Sequence, residues 1–480
     1  MAESELKKKT AKGLIWGGIG NGGMLVLNLL FGIVLSRILS PGDYGMIGAL
    51  TIFSAVAGTF TESGFTLAII NIKDADTRAY SSVFWFNVAM GAVMYLILYF
   101  LSVPIAAFYR TPEMVPLARF LFLSFVFGCL GTAPAGYLLR NLMVKQRSKS
   151  LIIATAVSGI AGISCALAGM AYWGIAVQTV TYTLTMTLMQ WHYAGIRPAM
   201  QFSWATIKGM LPFSLKQLTV ALFNNFNNNF FAALLSRFYG MKTTGYYTQG
   251  NKWTTMGYST INGMIYNVGQ PVIRQTVGDQ ERMIRAFRKL LRFTAFISFP
   301  CMLGLAIVSR ELIVITITDK WLPSVHVMQI LCVGGAFMPI ATLYGNLFNS
   351  INRPSVYMWN TITVGAAQTL AVILTYSYGL TTMLTVYVAI NILWLGIWQW
   401  FARRYAGIRT RRILMDIVPL FLATAAVMAV TVLLTSPITN IYLSLVAKIL
   451  TAAVLYILLM WSARSAILRE AIRFLRHKQV

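Results

Sequence analysis

Charged residues are scarce in this chain of 480 residues. They make up 11% of it, whereas a soluble domain carries about 25%. Acidic residues are the rarest, since 13 Asp and Glu stand against 39 Lys and Arg. Polar linkers are missing as well, although a soluble chain of this length would divide into several cores. Apolar stretches of ~20 residues recur in their place, each long enough to cross a bilayer. The composition excludes an ordinary soluble protein and predicts a polytopic helical membrane protein.

Residues that could form a catalytic or metal centre are equally few. The four cysteines lie in apolar runs without a CxxC pair, and the three histidines are far apart in the chain. Neither group has the ligand spacing of a zinc site, and no paired carboxylates or nucleophile arrangement accompanies them. We therefore expect a protein that is not an enzyme and that holds no cofactor or metal.

The first apolar run contains "GGIGNGG", in which Gly18, Gly20 and Gly23 follow the order of a dinucleotide-binding motif. Such a motif comes after a strand, whereas these glycines lie inside a stretch long enough to span a membrane. We interpret them as positions of close helix packing or local bending. The run is also too long for the apolar core of a signal peptide, so we expect it to be a retained first span.

Turns and charged loops divide the chain into about fourteen spans. Both termini of the chain are predicted to be cytoplasmic. Basic residues lie in short clusters that alternate from one side to the other, and roughly three quarters of them fall on the predicted cytoplasmic side. This distribution differs from the basic surface of a nucleic-acid-binding protein, so we expect no nucleic acid partner. The spans are placed near 13–38, 46–70, 81–103, 116–139, 150–170, 173–193, 209–237, 245–271, 287–309, 324–349, 355–376, 379–401, 413–436 and 440–462.

An internal repeat groups these spans. Asn28 and the "LSR" at 35–37 match Asn228 and the "LSR" at 235–237, and a turn with glycine and tyrosine follows each copy. Both copies end the first span of a six-span unit, so the two units have the same orientation in the membrane. The predicted fold is all-α, with two six-helix lobes in parallel pseudo-repeat at 1–200 and 201–404. Two further helices and an amphipathic tail follow at 405–480.

Ionisable residues inside spans are the first candidates for function, because they are costly in hydrocarbon and commonly face water. The candidates are Arg37, Glu62, Lys216, Arg237 and Lys252. For Arg37 and Arg237, near span ends, simple snorkelling to the interface is an equal alternative. For Glu62 and Lys216, the alternative is a structural pair between helices. Two others are expected to be structural. Asp416 lies one turn from Arg412, which predicts a local ion pair, and Lys448 lies near the outer surface.

Amides form a polar stripe on the seventh span. Within "LFNNFNNNFF" and the turns before it, helical geometry places five polar residues within about 120° of one another, and two more flank them. The stripe predicts one wall of a hydrated cavity, and the alternative is an interhelical amide network. The stripe comprises Lys216, Gln217, Asn224, Asn227 and Asn228, flanked by Asn225 and Asn229; on the eighth span Asn251 and Asn262 are further candidates.

Two amphipathic segments carry arginines opposite an apolar face. One surrounds Met283, Phe287 and Leu291, and the other is the C-terminal tail. We expect both to lie at the membrane interface on an anionic leaflet, with a partner-binding helix as the alternative.

Several motifs of this chain resemble those of one protein family and follow one another in the same order. The stretches "LKKKTAKGLIWG", "LSRILSPGDYGMIGAL", "TESGF", "SSVFWFNV", "FYRTPEMVPLARFL" and "GYYTQGNKW" are similar to those of the polysaccharide exporters, the Wzx-type flippases of the MOP superfamily. The resemblance implies a bacterial inner-membrane protein that flips undecaprenyl-pyrophosphate-linked oligosaccharide units by alternating access. It also implies a groove for the lipid tail at the last two spans.

The resemblance assigns roles to single residues. Arg37 matches the family's basic residue before the "LSPxDYG" turn, Glu62 occupies its acidic position, and Lys252 stands where arginine is usual. Relatives often carry an aspartate in the seventh span where this chain has Asn228 or Asn229. Glu62 is therefore the expected coupling residue, and the four cations Arg37, Lys216, Arg237 and Lys252 are expected to attract the pyrophosphate.

The implied energy source is a coupling ion, H⁺ or Na⁺, or the membrane potential. Expected partners are the lipid-linked glycan, membrane lipids and the polysaccharide polymerase machinery. A multidrug exporter of the same superfamily is the nearest rival, although a cavity for cationic drugs should be lined by carboxylates. A membrane polysaccharide polymerase or ligase is a more distant rival, since the predicted outer loops are short.

Overall fold

The computed structural model describes residues 2–62, 69 and 77–462, and every regular element in them is a helix. The chain forms two compact units, Met1–Gly245 and Tyr246–Val480. The helices are α1 Ala2–Ile38, α2 Pro41–Glu62, α3 Thr77–Tyr109, α4 Met114–Leu121, α5 Leu123–Arg140, α6 Val144–Leu167, α7 Trp173–Ala194, α8 Trp204–Arg274, α9 Gln280–Ile307, α10 Ser309–Ile317, α11 Leu322–Ser350, α12 Pro354–Thr375, α13 Leu380–Ala406, α14 Thr410–Thr435 and α15 Ile441–Ser462.

The predicted all-α membrane fold is confirmed. Each of the predicted spans coincides with a helix, with the α4–α5 pair or with one part of α8. Among the described residues, nine helical segments are long and apolar enough to cross a membrane by length and composition. The division into 1–200, 201–404 and 405–480 stays a prediction beside the two compact units.

The seventh and eighth predicted spans are the two arms of α8, 204–239 and 241–274. The helix continues from one arm to the other through a single non-helical residue, Gly240, with φ 80° and ψ 173°. A positive φ is costly for residues that carry a Cβ and not for glycine. One glycine therefore makes the turn that the sequence predicts after the second "LSR" copy.

In the first unit, α1 packs closely against α6 through its glycines. A Cβ added at Gly20 would overlap Ser148, and one added at Gly23 would meet Ile152. The Ser148 hydroxyl also donates a hydrogen bond of 2.8 Å to the carbonyl of Trp16. The predicted packing role is confirmed for Gly20 and Gly23, whereas a Cβ at Gly18 would meet open space.

In the second unit, the amphipathic segment at the start of α9 is part of the core. Met283 is 4% exposed, Phe287 and Leu291 are fully buried, and the Phe287 ring lies 5.3 Å from that of Tyr344. The prediction of an interfacial helix was wrong here, because α9 is one continuous helix whose apolar face packs on protein and not on lipid. The C-terminal tail lies outside the described residues.

Asp416 on α14 binds α9 and not its own helix. It accepts two hydrogen bonds from Arg288, at 2.6 and 2.9 Å, and Arg292 lies 3.9 Å away. The predicted local pair with Arg412 was wrong. Asp416 is buried, and α9 supplies the fork of donors that matches a carboxylate.

Lys448 on α15 likewise has a partner that the sequence analysis did not identify. It donates to Glu311 of α10 at 2.5 Å and to the carbonyl of Ile307 at 3.0 Å, while Ser444 donates to the same carboxylate at 2.8 Å. Burial alone would raise the pKa of Glu311, but these hydrogen bonds outweigh it and lower the pKa. An ion pair thus joins each of the last two helices to another helix of the second unit, α14 to α9 and α15 to α10.

We expect Asp416→Ala to lower the free energy of unfolding by about 3 kcal/mol, because it leaves Arg288 largely buried without a partner. The matched control is Glu281→Ala, which breaks the pair with Arg285, whose side chains are 86% and 68% exposed. Such an exposed pair contributes at most about 1 kcal/mol. The measurement is thermal unfolding of the purified protein in detergent, and equal shifts for the two variants would contradict the assignment.

Candidate functional site

The turn between α1 and α2 is held by its own side chains. The Ser40 backbone amide and hydroxyl donate to the Asp43 carboxylate at 2.8 and 2.7 Å, and the Asp43 amide donates back to the Ser40 hydroxyl at 3.3 Å. Pro41 occupies the first helical position, where it lacks no needed donor. This reciprocal cap begins α2 three residues after the end of α1, whose last turn carries the exposed Arg37.

The kink in α8 repeats this turn two hundred residues later. Ser36 donates to the Tyr44 hydroxyl at 2.9 Å, and Ser236 donates to the Thr244 hydroxyl at 3.0 Å. Both serines are buried, at 1% and 3% exposure. The repeat seen in "LSR" therefore extends to equivalent hydrogen bonds.

The two copies of the turn meet in what we term the glycine contact. A Cβ added to Gly45 would overlap the carbonyl group of Met241, and one added to Gly245 would overlap the carbonyl group of Pro41. Pro41 and Gly45 correspond to Met241 and Gly245 in the repeat. The contact is therefore reciprocal, as where equivalent surfaces meet across a two-fold axis.

The equivalent cations differ in their surroundings. Arg237, the counterpart of Arg37, is half-buried and its guanidinium lies 5.2 Å from the ring centroid of Phe108. A cation at that distance from an aromatic ring gains about 0.5–1 kcal/mol. The first unit thus brings Arg37 and Arg237 to the two turns that form the glycine contact.

The amide stripe divides between packing and exposure. Asn225 donates to the Thr59 hydroxyl of α2 at 3.1 Å, and Asn229 donates to the carbonyl of Asn225 at 2.8 Å. Asn227 is half-buried and Asn228 is exposed. Asn225 thus belongs to an interhelical network, the alternative raised for the stripe, whereas Asn228 is available to solvent or a ligand. The side chains of Glu62, Lys216, Gln217 and Asn224 lie outside the described part of the structure.

The second arm of α8 packs one side on the second unit and exposes another. A Cβ added at Gly250 would meet the backbone of α11, and the Asn262 amide oxygen accepts from Thr342 at 3.3 Å. Asn251 is half-buried. The exposed side carries several polar or aromatic residues, Ser259, Thr260, Tyr266 and Asn267. Such a side is suited to water and hydroxyl groups.

Lys252 is the half-buried cation of this arm. Ion pairs among the described residues include those of Glu281, Glu311 and Asp416, and none of these three involves Lys252. The whole of α8 contains no acidic residue. Its six basic residues are Lys208, Lys216, Arg237, Lys242, Lys252 and Arg274. Because a half-buried cation is costly inside a predicted membrane span, Lys252 stays a candidate for the substrate path.

The sequence analysis missed several residues of this site. Phe108, Thr59 and Thr342 left no signal, because each is defined by a contact between distant helices. Gly45 and Gly245 could have been found, since their spacing is that of the repeat already read from the "LSR" tripeptides.

Comparison with known proteins identifies the family. The sequence model of the polysaccharide biosynthesis protein family matches residues 34–326, more than half of the chain. The chain belongs to this family. Relatives include the lipopolysaccharide biosynthesis protein WzxC of Escherichia coli K12, 26% identical over 73% of this chain and 72% of that protein. The teichuronic acid biosynthesis protein TuaB of Bacillus subtilis 168 is 24% identical over 88% of each chain.

Solved structures share the fold. The lipid II flippase MurJ in an inward closed conformation superposes with a TM-score of 0.77, covering 95% of this chain and all of that chain at 16% identity. An inward-facing MATE multidrug transporter of the MOP superfamily gives 0.62, covering 80% and 94% at 16% identity. The family resemblance read from the sequence is confirmed, and the chain is a multi-pass membrane protein.

We expect Gly45→Ala to weaken the glycine contact, since the added Cβ overlaps a carbonyl and such overpacking costs about 1–3 kcal/mol. Alanine favours a helix over glycine, so a loss in thermal stability cannot come from propensity. Gly42→Ala is the control in the same helix, because its Cβ would lie 3.6 Å from the Ser40 hydroxyl oxygen, an ordinary contact. Gly245→Ala should match Gly45→Ala, and the double variant should lose less than the sum; strict additivity would count against one shared contact.

We expect Lys252→Met to raise the free energy of unfolding by about 1 kcal/mol or more, because it removes a half-buried charge that no described carboxylate neutralises. Lys242→Met makes the same change at an exposed position and should stay within about 0.5 kcal/mol of the parent. Thermal unfolding in detergent measures both. Destabilisation by Lys252→Met would assign the cation a structural partner.

Proposed function

We propose that this protein is a flippase for lipid-linked oligosaccharides. It would carry undecaprenyl-pyrophosphate-linked units from the cytoplasmic to the periplasmic face of the bacterial inner membrane, for assembly of a surface polysaccharide. The names of its relatives, which are lipopolysaccharide and teichuronic acid biosynthesis proteins, support a role in polysaccharide handling. A transporter fold supports movement of substrate rather than catalysis.

The main support for an anionic substrate is Lys252, a half-buried cation that no described carboxylate neutralises, on a helix without acidic residues. A cation held inside a membrane span is stabilised by water or by an anion. The pyrophosphate of a lipid-linked glycan is such an anion, and lysine binds phosphate as a point charge. Arg37, Lys216 and Arg237 are the further cations proposed for its path.

The glycan would use the polar residues of α8. Asn228 and the exposed side of the second arm offer amide and hydroxyl groups, which can replace the water that solvates sugar hydroxyls. Asn227, Asn251 and Asn262 are further polar residues proposed to contact the glycan, together with Gln217 and Asn224. Asn225 and Asn229 are partly engaged in helix packing and would act by shaping the wall.

Transport would proceed by alternating access between two lobes, driven by a coupling ion, H⁺ or Na⁺, or by the membrane potential. Glu62 is the proposed coupling residue, at the end of α2. Both termini are proposed to be cytoplasmic, as the basic clusters predict. The polysaccharide polymerase machinery is the proposed downstream partner, since it consumes units delivered to the periplasmic face.

A multidrug exporter is the rival of the same fold. A site for cationic drugs requires negative charge, whereas α8 carries six basic residues and no acidic one. The charge of α8 therefore favours an anionic substrate. A polymerase or ligase remains the more distant rival, because the described connections between helices are short.

The experiment is deletion of the gene in its host, followed by determination of the side on which lipid-linked units accumulate. We expect complete units on the cytoplasmic face, because flipping is the step between their synthesis and polymerisation. Protection from a membrane-impermeant glycan-cleaving enzyme in intact spheroplasts measures the side. Unpolymerised units on the periplasmic face would instead indicate a polymerase or ligase.

Complementation tests the site within the same strain. Lys252→Met should abolish export at wild-type expression, Lys252→Arg should retain part of it, and Lys242→Met should restore it fully. Full export by Lys252→Met would exclude this cation from the substrate path while leaving the deletion result intact.

A further inference from the structure

The start of α9 and the start of α14 form a seam in the second unit. The Gln280 side chain donates to the carbonyl of Ala406 at 3.3 Å, just before α14 begins. Two turns further along α9, Arg288 holds Asp416. These two ties fix the first three turns of α9 beside the first two turns of α14.

Arginines from both helices face this seam. On α9, Arg285 and Arg292 lie within about 60° of Arg288 around the helix axis, and on α14, Arg412 lies about 40° from Asp416. Arg409 is the N-cap residue immediately before α14. Since Arg288 and Asp416 point at each other, their neighbours on the same faces line the same junction. We define the arginine seam as Arg285, Arg288, Arg292, Arg409 and Arg412.

Carboxylates neutralise only part of this charge. Asp416 binds Arg288, and Glu281 binds Arg285 at 3.3 Å. Arg292 stays 3.9 Å from Asp416, and its buried Nε lacks a hydrogen-bond partner within the described residues. Arg409 and Arg412 are exposed, and no described carboxylate pairs with them. Five arginines thus share two carboxylates.

Apolar side chains adjoin the charged ones. Phe293 on α9 is 43% exposed, and Met415 on α14 is 64% exposed. Each lies next to the seam in sequence, on the part of its helix that continues into an apolar candidate span. An occupant with an anionic head and an apolar body would satisfy both sets of side chains.

We propose that the arginine seam binds the phosphate of an anionic phospholipid in the leaflet that contacts this end of the unit. The lipid phosphate supplies the acceptor oxygens that Arg292, Arg409 and Arg412 lack, and its acyl chains lie along Phe293 and Met415. Basic pockets between membrane helices are suited to such headgroups. The N-terminus of α14 carries the positive end of the helix dipole, which favours an anion. No acidic residue in the first turn of α14 compensates this partial charge.

The proposed occupant is a bulk membrane lipid and not the transported substrate, so the inference does not depend on the flippase function. The test uses the full chain, delipidated in detergent and titrated with phosphatidylglycerol or phosphatidylcholine while native mass spectrometry counts the bound lipids. No polyprenyl lipid is present. We expect phosphatidylglycerol to bind and phosphatidylcholine to bind much more weakly.

The variant Arg409→Gln/Arg412→Gln should bind phosphatidylglycerol roughly 10- to 30-fold more weakly, because each basic residue near an anionic lipid contributes about a factor of five. The matched control is Arg197→Gln/Lys208→Gln, which removes the same charge from exposed positions in the first unit and should bind like the parent. Both variants change exposed side chains, and an unchanged unfolding temperature without lipid checks that each is folded.

Three results would overturn the proposal. The first is equal binding of phosphatidylglycerol by the seam variant and the control. The second is binding of phosphatidylcholine as tight as that of phosphatidylglycerol. The third comes from a separate titration, in which a polyprenyl diphosphate binds at the seam and phosphatidylglycerol does not displace it; the seam would then belong to the substrate path.

Discussion

The high free-energy cost of an ionised side chain in hydrocarbon restricts where the charged residues of this protein can lie. With 13 acidic residues for 39 basic ones, most cations cannot be paired, so their positions are constrained. Two of the described carboxylates of the second unit join helices. Asp416 joins α14 to α9, and Glu311 joins α15 to α10. The remaining cations need water, an aromatic ring or an anion.

Two of these solutions occur among the described residues. Arg237 rests near the face of the Phe108 ring, and Arg409 is exposed at a helix start. Lys252 is different, because it is half-buried and no described carboxylate pairs with it. A cation kept at such a position lowers stability unless a ligand or water compensates. The same cost underlies both proposals, an anionic substrate for α8 and an anionic lipid at the arginine seam.

Backbone geometry is the second organising feature. Gly240 allows α8 to turn without a loop, and Gly45 and Gly245 allow two turns to touch through their carbonyl groups. None of the three positions tolerates a side chain, for reasons of torsion at Gly240 and of space at the other two. The reciprocity of the contact also shows that the repeat in the sequence is a repeat in the structure of the first unit. Two duplicated turns now pack on each other, with the equivalent cations Arg37 and Arg237 beside them.

The sequence by itself determined the membrane class, the positions of the spans and the repeat, because hydrophobic length and helical period are local properties of the chain. It also predicted the packing role of Gly20. Only the tertiary structure decided which charges pair. Arg412 is one turn from Asp416, yet the carboxylate binds Arg288, which is 128 residues away. The same applies to the segment around Phe287, whose apolar face fits a membrane surface or a protein core equally well by pattern. Which helix lies opposite is a property of the packed chain, and the period of one helix carries no information about it.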